Sequence, residues 1–430
     1  MNRASIILPA LLVLRAGAPA ITTDDAVRIA LGDSPRIRAA RLASVAAQAQ
    51  TDRERPVALP LLSLRAETRL QGPRVTFPRA GDGDATVLPE QYSRVELSLE
   101  QLLYRPGASL ARGRYTAETR ANALDLLREQ NDLRLAVRRA FLDLAEAQAM
   151  VGVADEGADT ARRHLRQARL MLEAGLTPER DVKSAEADAA EAAQQAARAV
   201  NGAALARGNL NRLLGRDPAA PLTIAPPVAL PPPPPAYEPA ANRAARDRPE
   251  LAALREHLRG ARAGVDLAAS QAGPSLSAQL RAVQQTPSAF ASSRYYAGGL
   301  HLRWDLIDRG ESRANAREAA ARTGQLEAQL DDAVLGIRLE VAKAIGDEQT
   351  ARATLASAAE AVESARAALH VSELRYAARA ALLLEVAGAR VALSRALGDR
   401  ERALYDVHRA ATDLEHATAA GLRISGEGGQ

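Results

Sequence analysis

The sequence predicts a mainly α protein with a small β part, built from duplicated long antiparallel coiled-coil hairpins. Three observations predict it. A seam of small and apolar residues runs through Leu133, Val137, Ala140, Leu144, Ala147, Val151, Ala154, Ala158, Ala161, Leu165, Ala168 and Leu172 in alternating steps of four and three. That is the heptad spacing of a long helix packed lengthwise on others. The seam recurs 204 residues on, from Ile337 to Tyr376, with only Glu348 and Ser372 polar. Between the helical stretches the period drops to two in four short runs, the mark of strands.

Composition agrees. Aromatics are 3% of 430 residues, and alanine supplies much of the apolar content, which suits close helix–helix seams. The absence of cysteine excludes disulfides, thiolate metal sites and lipidation of an N-terminal cysteine. A net charge of +4 with nearly balanced acids and bases gives no nucleic-acid footprint. No segment reaches the roughly 18 apolar residues of a transmembrane helix, so a membrane crossing would have to use strands.

In chain order, residues 1–20 read as an export signal: Arg3, the apolar run Ile6 to Leu14, and small residues up to a cut after Ala20. Residues 21–225 form the first repeat. Thr22 or Thr23 caps a helix with Asp24 and Asp25 in its first turn, kinked near Pro35 and ended by Pro56 and Pro60. Leu62, Leu64, Ala66, Thr68 and Leu70 then alternate with Ser63, Arg65, Glu67 and Arg69. After a loop rich in Gly, Pro and Asp, with Asp82 and Asp84 at its tip, Val95, Leu97 and Leu99 alternate with Arg94, Glu96 and Ser98. Both runs have the length of tilted barrel strands, although a soluble half-buried hairpin alternates in the same way.

Pro106-Gly107 opens the first long helix, which ends near Glu173 and spans on the order of 100 Å. Gly175 suits its C′ position, Thr177 the next N-cap, and Pro178 the first residue of the returning helix. The returning helix is about half as long; the first helix, stacked on it end to end, makes up the difference. Residues 226–239 are a Pro-rich linker of polyproline character. Residues 240–420 repeat the plan. Leu276, Ala278, Leu280 and Ala282 form one strand face, and Leu300, Leu302 and Trp304 the next. Tyr295, Tyr296 and Trp304 are placed for an interfacial aromatic belt. Arg309-Gly310 opens the second long helix, and the tail 421–430 is Gly-rich and predicted disordered.

Asp25-Ala26-Val27 with Pro35, Leu97-Ser98-Leu99-Glu100-Gln101-Leu102-Leu103 into Pro106-Gly107, the tip Ala174-Gly175-Leu176-Thr177-Pro178, and Leu210-Asn211-Arg212-Leu213-Leu214-Gly215 carry a resemblance to the TolC-like outer membrane efflux family. It covers nearly the whole chain. The resemblance implies a homotrimer in outer-membrane lipid, each chain giving four strands to a twelve-stranded β-barrel and its helices to a periplasmic α-barrel. It also implies a periplasmic adaptor and an inner-membrane pump. Independently, four strands cannot close a barrel, whereas three copies give an even number without edges.

By the same resemblance a periplasmic gate lies at the helix tips. Tyr376 matches the linking tyrosine, and Glu385 and Asp181 stand at acidic positions. The sequence departs from the pattern at Arg379, Ala381 and Gly388, so Arg375 or Arg379 is expected to supply the latch. Three copies of Glu385 form a carboxylate ring that selects cations; alternatively Glu385 is a helix-start acid favoured by the dipole. Gly175, Leu176, Thr177, Ala380 and Leu382 are the expected adaptor contacts. No catalytic constellation, cofactor motif or metal site is read. His408 and His416 share a helix face without a ligand pattern beside them. The reading is a passive export conduit, of the efflux or type I secretion kind; the rival is a soluble periplasmic coiled-coil adaptor or scaffold.

Overall fold

The computed structural model describes residues 20–54, 59–78, 81, 83–175, 177–227, 229–378, 380–381 and 383–420, without the side chains of 50, 53, 54, 377, 383 and 384. The predicted signal up to residue 19, the tail 421–430, and Asp82, Leu176, Arg379 and Leu382 lie outside the described residues.

The elements are α1 (Thr23–Asp33), α2 (Pro35–Glu54), β1 (Leu61–Leu70), β2 (Val75–Phe77), β3 (Ala85–Leu88), β4 (Gln91–Tyr104), α3 (Ala108–Glu173), α4 (Glu179–Leu213), α5 (Tyr237–Asp247), α6 (Pro249–Ser270), β5 (Ser275–Gln285), β6 (Arg294–Arg303), α7 (Glu311–Ala377) and α8 (Leu383–Ala417). The predicted kink at Pro35 is a break: Ser34 is extended, as a residue before proline prefers. Arg248 before Pro249 divides α5 from α6 in the same way. Helix α5 starts at Tyr237, inside the stretch assigned to the linker, because Pro239 lies in its first turn, where proline costs no hydrogen bond.

Two compact units arise, and neither is a sequence repeat. The first combines residues 1–39, 129–247 and 337–430; the second combines 40–128 and 248–336. The chain crosses between them four times, inside α2, α3 and α7 and at the break between α5 and α6.

In the first unit every position of both predicted seams is buried or half-buried. The core joins Ala26, Val27 and Ala30 of α1 to Leu133, Val137, Phe141 and Leu144 of α3, Leu210 of α4 and Tyr405 of α8. Thr22 closes a capping box with Asp25. The end of α4 abuts the α1–α2 break: a Cβ on Gly215 would lie 3.0 Å from the Asp33 carbonyl oxygen. Glu348, the acid in the second seam, is buried and accepts from Arg352 at 2.8 Å. Arg352 also donates to the carbonyls of Pro231 and Pro232 at 2.8 and 2.6 Å. A polyproline segment has no internal hydrogen bonds, so these carbonyls are free to accept.

In the second unit the sheet order is β1-β4-β5-β6, all antiparallel. β2 and β3 pair as a separate small hairpin in what the sequence reads as loop. Gly107 has φ +73°, and a Cβ there would lie 2.3 Å from Ser270 Oγ, so only glycine fits this strand-to-helix corner. No described helix is long and apolar enough to cross a membrane.

Candidate functional site

Two features carry the candidate function, one in each unit. The first is the pair of helix tips. Gly175, at φ +69°, ends α3 with its N–H bonded to the Leu172 carbonyl at 2.9 Å. The predicted N-cap is corrected: Pro178 holds the cap position, and the Thr177 hydroxyl donates instead to Asp181 Oδ2 at 3.1 Å. Asp181 is thereby occupied within its own tip. Leu165, Ala168, Leu172, Val182 and Ala185 pack below it.

At the second tip Arg375 Nη1 lies 3.4 Å from Glu385 Oε2, linking the end of α7 to the start of α8. Arg375 Nη2 also donates to the Ala380 carbonyl at 3.5 Å. The half-buried Tyr376 hydroxyl donates to Met171 Sδ at 3.3 Å, tying the second hairpin to the first. Gly175 and Ala380 are exposed and Thr177 is half-buried. Of the other expected tip contacts, Leu176, Leu382 and Arg379 lie outside the described residues. Sequence reading passed over Met171 and the exposed apolar residues Leu170, Val371, Leu374 and Val391. Their only signal is that they are large, apolar and off the seam.

His164 of α3 lies higher in the same unit, and burial, with Arg390 beside it, pushes its imidazole below the ordinary value. Its Nε2 is buried without a hydrogen-bond partner among the described residues. His408 is lowered by burial and by Arg352. His416 meets Asp132 at 2.9 Å and Glu340 at 3.8 Å, carboxylates supplied by α3 and α7. The described residues hold no group of three such side chains able to bind a metal ion.

The second feature is the sheet. Register puts Leu62 opposite Leu99, Leu64 opposite Leu97 and Ala66 opposite Val95. It continues through Leu99–Leu280 and Leu97–Ala282 to Leu276–Leu302 and Ala278–Leu300. These residues, with Leu70 four pairs beyond Ala66, therefore share one face. That face is open: Leu64 and Leu300 are each 69% exposed. The opposite face carries Arg65, Glu67, Arg94, Glu96 and Arg281, with Arg94 and Glu96 paired at 2.7 Å. Two expectations are corrected. Tyr295 stands opposite Val283 on the polar face, and Arg94 donates to its hydroxyl at 3.4 Å, so only Tyr296 of the tyrosine pair is on the apolar face. Trp304 follows the last residue of β6, its indole N–H donating to the Ala272 carbonyl at 3.1 Å.

A family model described as outer membrane efflux protein matches residues 26–216 and 240–420, and the chain belongs to that family. Membership makes it an outer membrane efflux protein and not an enzyme. Protein CyaE of Bordetella pertussis (strain Tohama I) is 34% identical over 221 residues, a match covering 50% of this chain and 47% of CyaE. The chain thus spans about half the length of that curated relative. Among solved structures, the outer membrane protein VceC of Vibrio cholerae superposes with a TM-score of 0.76 at 19% identity over 93% of this chain and 96% of VceC. The Campylobacter jejuni CmeC outer membrane channel does so at 0.76 and 16% over 99% and 95%. The open-state MtrE channel of Neisseria gonorrhoeae gives 0.71 and 20% over 93% and 89%.

Proposed function

We propose that three copies of this chain form the outer-membrane conduit of a three-part export system, with a periplasmic adaptor and an inner-membrane pump as partners. The observation that carries this reading is the open four-stranded sheet, apolar on one exposed face and charged on the other. In a soluble β domain that leucine face would be covered by a second layer. As a third of a barrel it meets lipid, and β1 and β6 of successive copies pair, leaving no edge. Leu62, Leu64, Leu70, Val95, Leu97, Leu99, Leu276, Leu280, Leu300 and Leu302 are the lipid-facing residues, with Trp304 at the boundary.

The helical hairpins continue the conduit into the periplasm, and their tips form its gate. Arg375 and Glu385 latch the second tip, and Tyr376 on Met171 holds it against the first. Released from Arg375, the three Glu385 carboxylates ring the entrance and favour cations. Asp181 adds a second acidic position. The exposed tip surface around Gly175, Leu176, Thr177, Ala380 and Leu382 receives the adaptor. The chain supplies a passive path, and the pump supplies energy and selects cargo. Purified protein reconstituted in a planar bilayer tests this: discrete channel openings with cation preference are expected, and a silent bilayer in spite of insertion refutes the conduit.

A further inference from the structure

The corner where β4 passes into α3 encloses a cavity of about 390 Å³. Leu102, Leu103 and Tyr104 line it from the strand end, and Arg105, Arg112 and Arg114 from the corner and the first turns of α3. No Asp or Glu is among its lining residues. None of the three arginine side chains has an ion pair or hydrogen bond among the described residues. Three cations around one concavity, with no counter-charge, fit an anion.

The location says which anion. Tyr104 stands opposite Leu276, on the apolar face of the sheet, and is 55% exposed, as Leu103 is at 52%. Trp304, Leu306 and Ile307 at the other strand-to-helix corner are also exposed. Aromatic and aliphatic side chains at a strand end, followed directly by arginines, are arranged like a membrane–water boundary. β4 is an inner strand, paired on both sides, so this corner lies away from the β1 and β6 edges available to a second copy.

We propose that this cavity binds the phosphate headgroup of an anionic phospholipid from the periplasmic leaflet, its acyl chains lying along the apolar sheet face beside Tyr104. The inference rests on the reading that the strands cross an outer membrane. The test uses the full chain in phosphatidylcholine nanodiscs with and without phosphatidylglycerol, and native mass spectrometry counts the retained lipid. Wild type is expected to retain phosphatidylglycerol over phosphatidylcholine. R105Q, R112Q and R114Q each weaken that preference about fivefold, and the triple variant abolishes it. The triple Lys variant, which keeps the charges, retains it. Equal retention of the two lipids by wild type, or an unchanged preference in the triple Gln variant, overturns the proposal. Soluble glycerol phosphate displacing the lipid at equal concentration also overturns it, in favour of a free anion. Insertion into neutral nanodiscs is scored separately: failure there refutes the channel reading itself, whereas insertion without anionic preference refutes only this site.

Discussion

Arg169 on α3 donates to Glu186 on α4 at 2.9 Å, and the same two positions of the second repeat hold the same bond with its charges exchanged. There Arg390 on α8 donates to Glu373 on α7 at 2.8 Å. The duplication has kept the bond and its place on the hairpin, not the residue types. A charge pair fixes the register of two antiparallel helices whichever side carries the cation. Glu186 is held below the usual carboxylate range by hydrogen bonds from Arg169 and Lys183.

Reversing one partner of the second pair tests this register role. R390E sets two carboxylates facing each other, and E373R/R390E restores the bond in the polarity of the first repeat. A double-mutant cycle in thermal unfolding is expected to give a coupling of about 0.5 kcal/mol, as for a partly exposed pair.

Arg352 carries a larger share. Its loss leaves the buried Glu348 carboxylate without its cation and frees the linker carbonyls of Pro231 and Pro232. R352A is expected to destabilise the helical unit by about 3 kcal/mol, and E348A/R352A to recover most of that, because the unpaired buried charge is then gone. Limited proteolysis of R352A should cut first near Pro231.

Acid should loosen the helical unit through His164 and His408. Both imidazoles are pushed below the ordinary 6.5 by burial, so the folded state favours their neutral forms. The unfolded chain takes up protons first. Stability is therefore unaffected by these groups above about pH 6.5 and falls as pH drops below it. Melting temperatures between about pH 7 and 5 should fall less for H164Q/H408Q than for wild type.

At the gate, R375Q removes the cation from Glu385 and the donor from the Ala380 carbonyl. Single-channel conductance is expected to rise several-fold. E385Q should also open the latch but lose cation preference, which separates the two roles of that carboxylate.

Asp308 illustrates a cap that controls where a long helix begins. The Ser312 hydroxyl, and then the Ser312 and Gly310 N–H groups that donate to the carboxylate at 2.8 and 2.9 Å, lower its pKa to about 2. The capping stability is present above the ordinary 3.8 and lost as pH falls toward about 2. D308A should speed amide exchange at Gly310 and Ser312 without shifting the rest of α7.

Much of this fold is written as periodicity, and periodic features are what the sequence reveals. Each seam residue from Leu133 to Leu172 and Ile337 to Tyr376 is in the packed interface, since a long helix offers many turns over which one pattern must hold. The glycines at 107 and 175 mark sharp turns because their backbone is left-handed. Short elements escape this logic. β2 has three residues and a flanking Pro73, too few for an alternation to register. β6 begins at Arg294, but Gly298 and Gly299 interrupt its pattern, so its first half reads as loop. The tips were legible as turns, yet their bonding was not: Arg375–Glu385 joins residues across a loop, and Tyr376–Met171 joins the two repeats. Such contacts depend on tertiary placement that spacing along one helix does not encode. The two compact units, each drawing on both repeats, are hidden for the same reason.

The central claim is that the open sheet is one third of a membrane barrel, and particle mass tests it most directly. Outer-membrane fractions would be extracted with detergent and the protein's mass measured with bound detergent subtracted. The account predicts release only with detergent and a particle of three 45.5 kDa chains, less any cleaved leader. A monomer or dimer released by salt alone would contradict it, and the exposed leucine face of β1, β4, β5 and β6 would then need a protein partner instead of lipid.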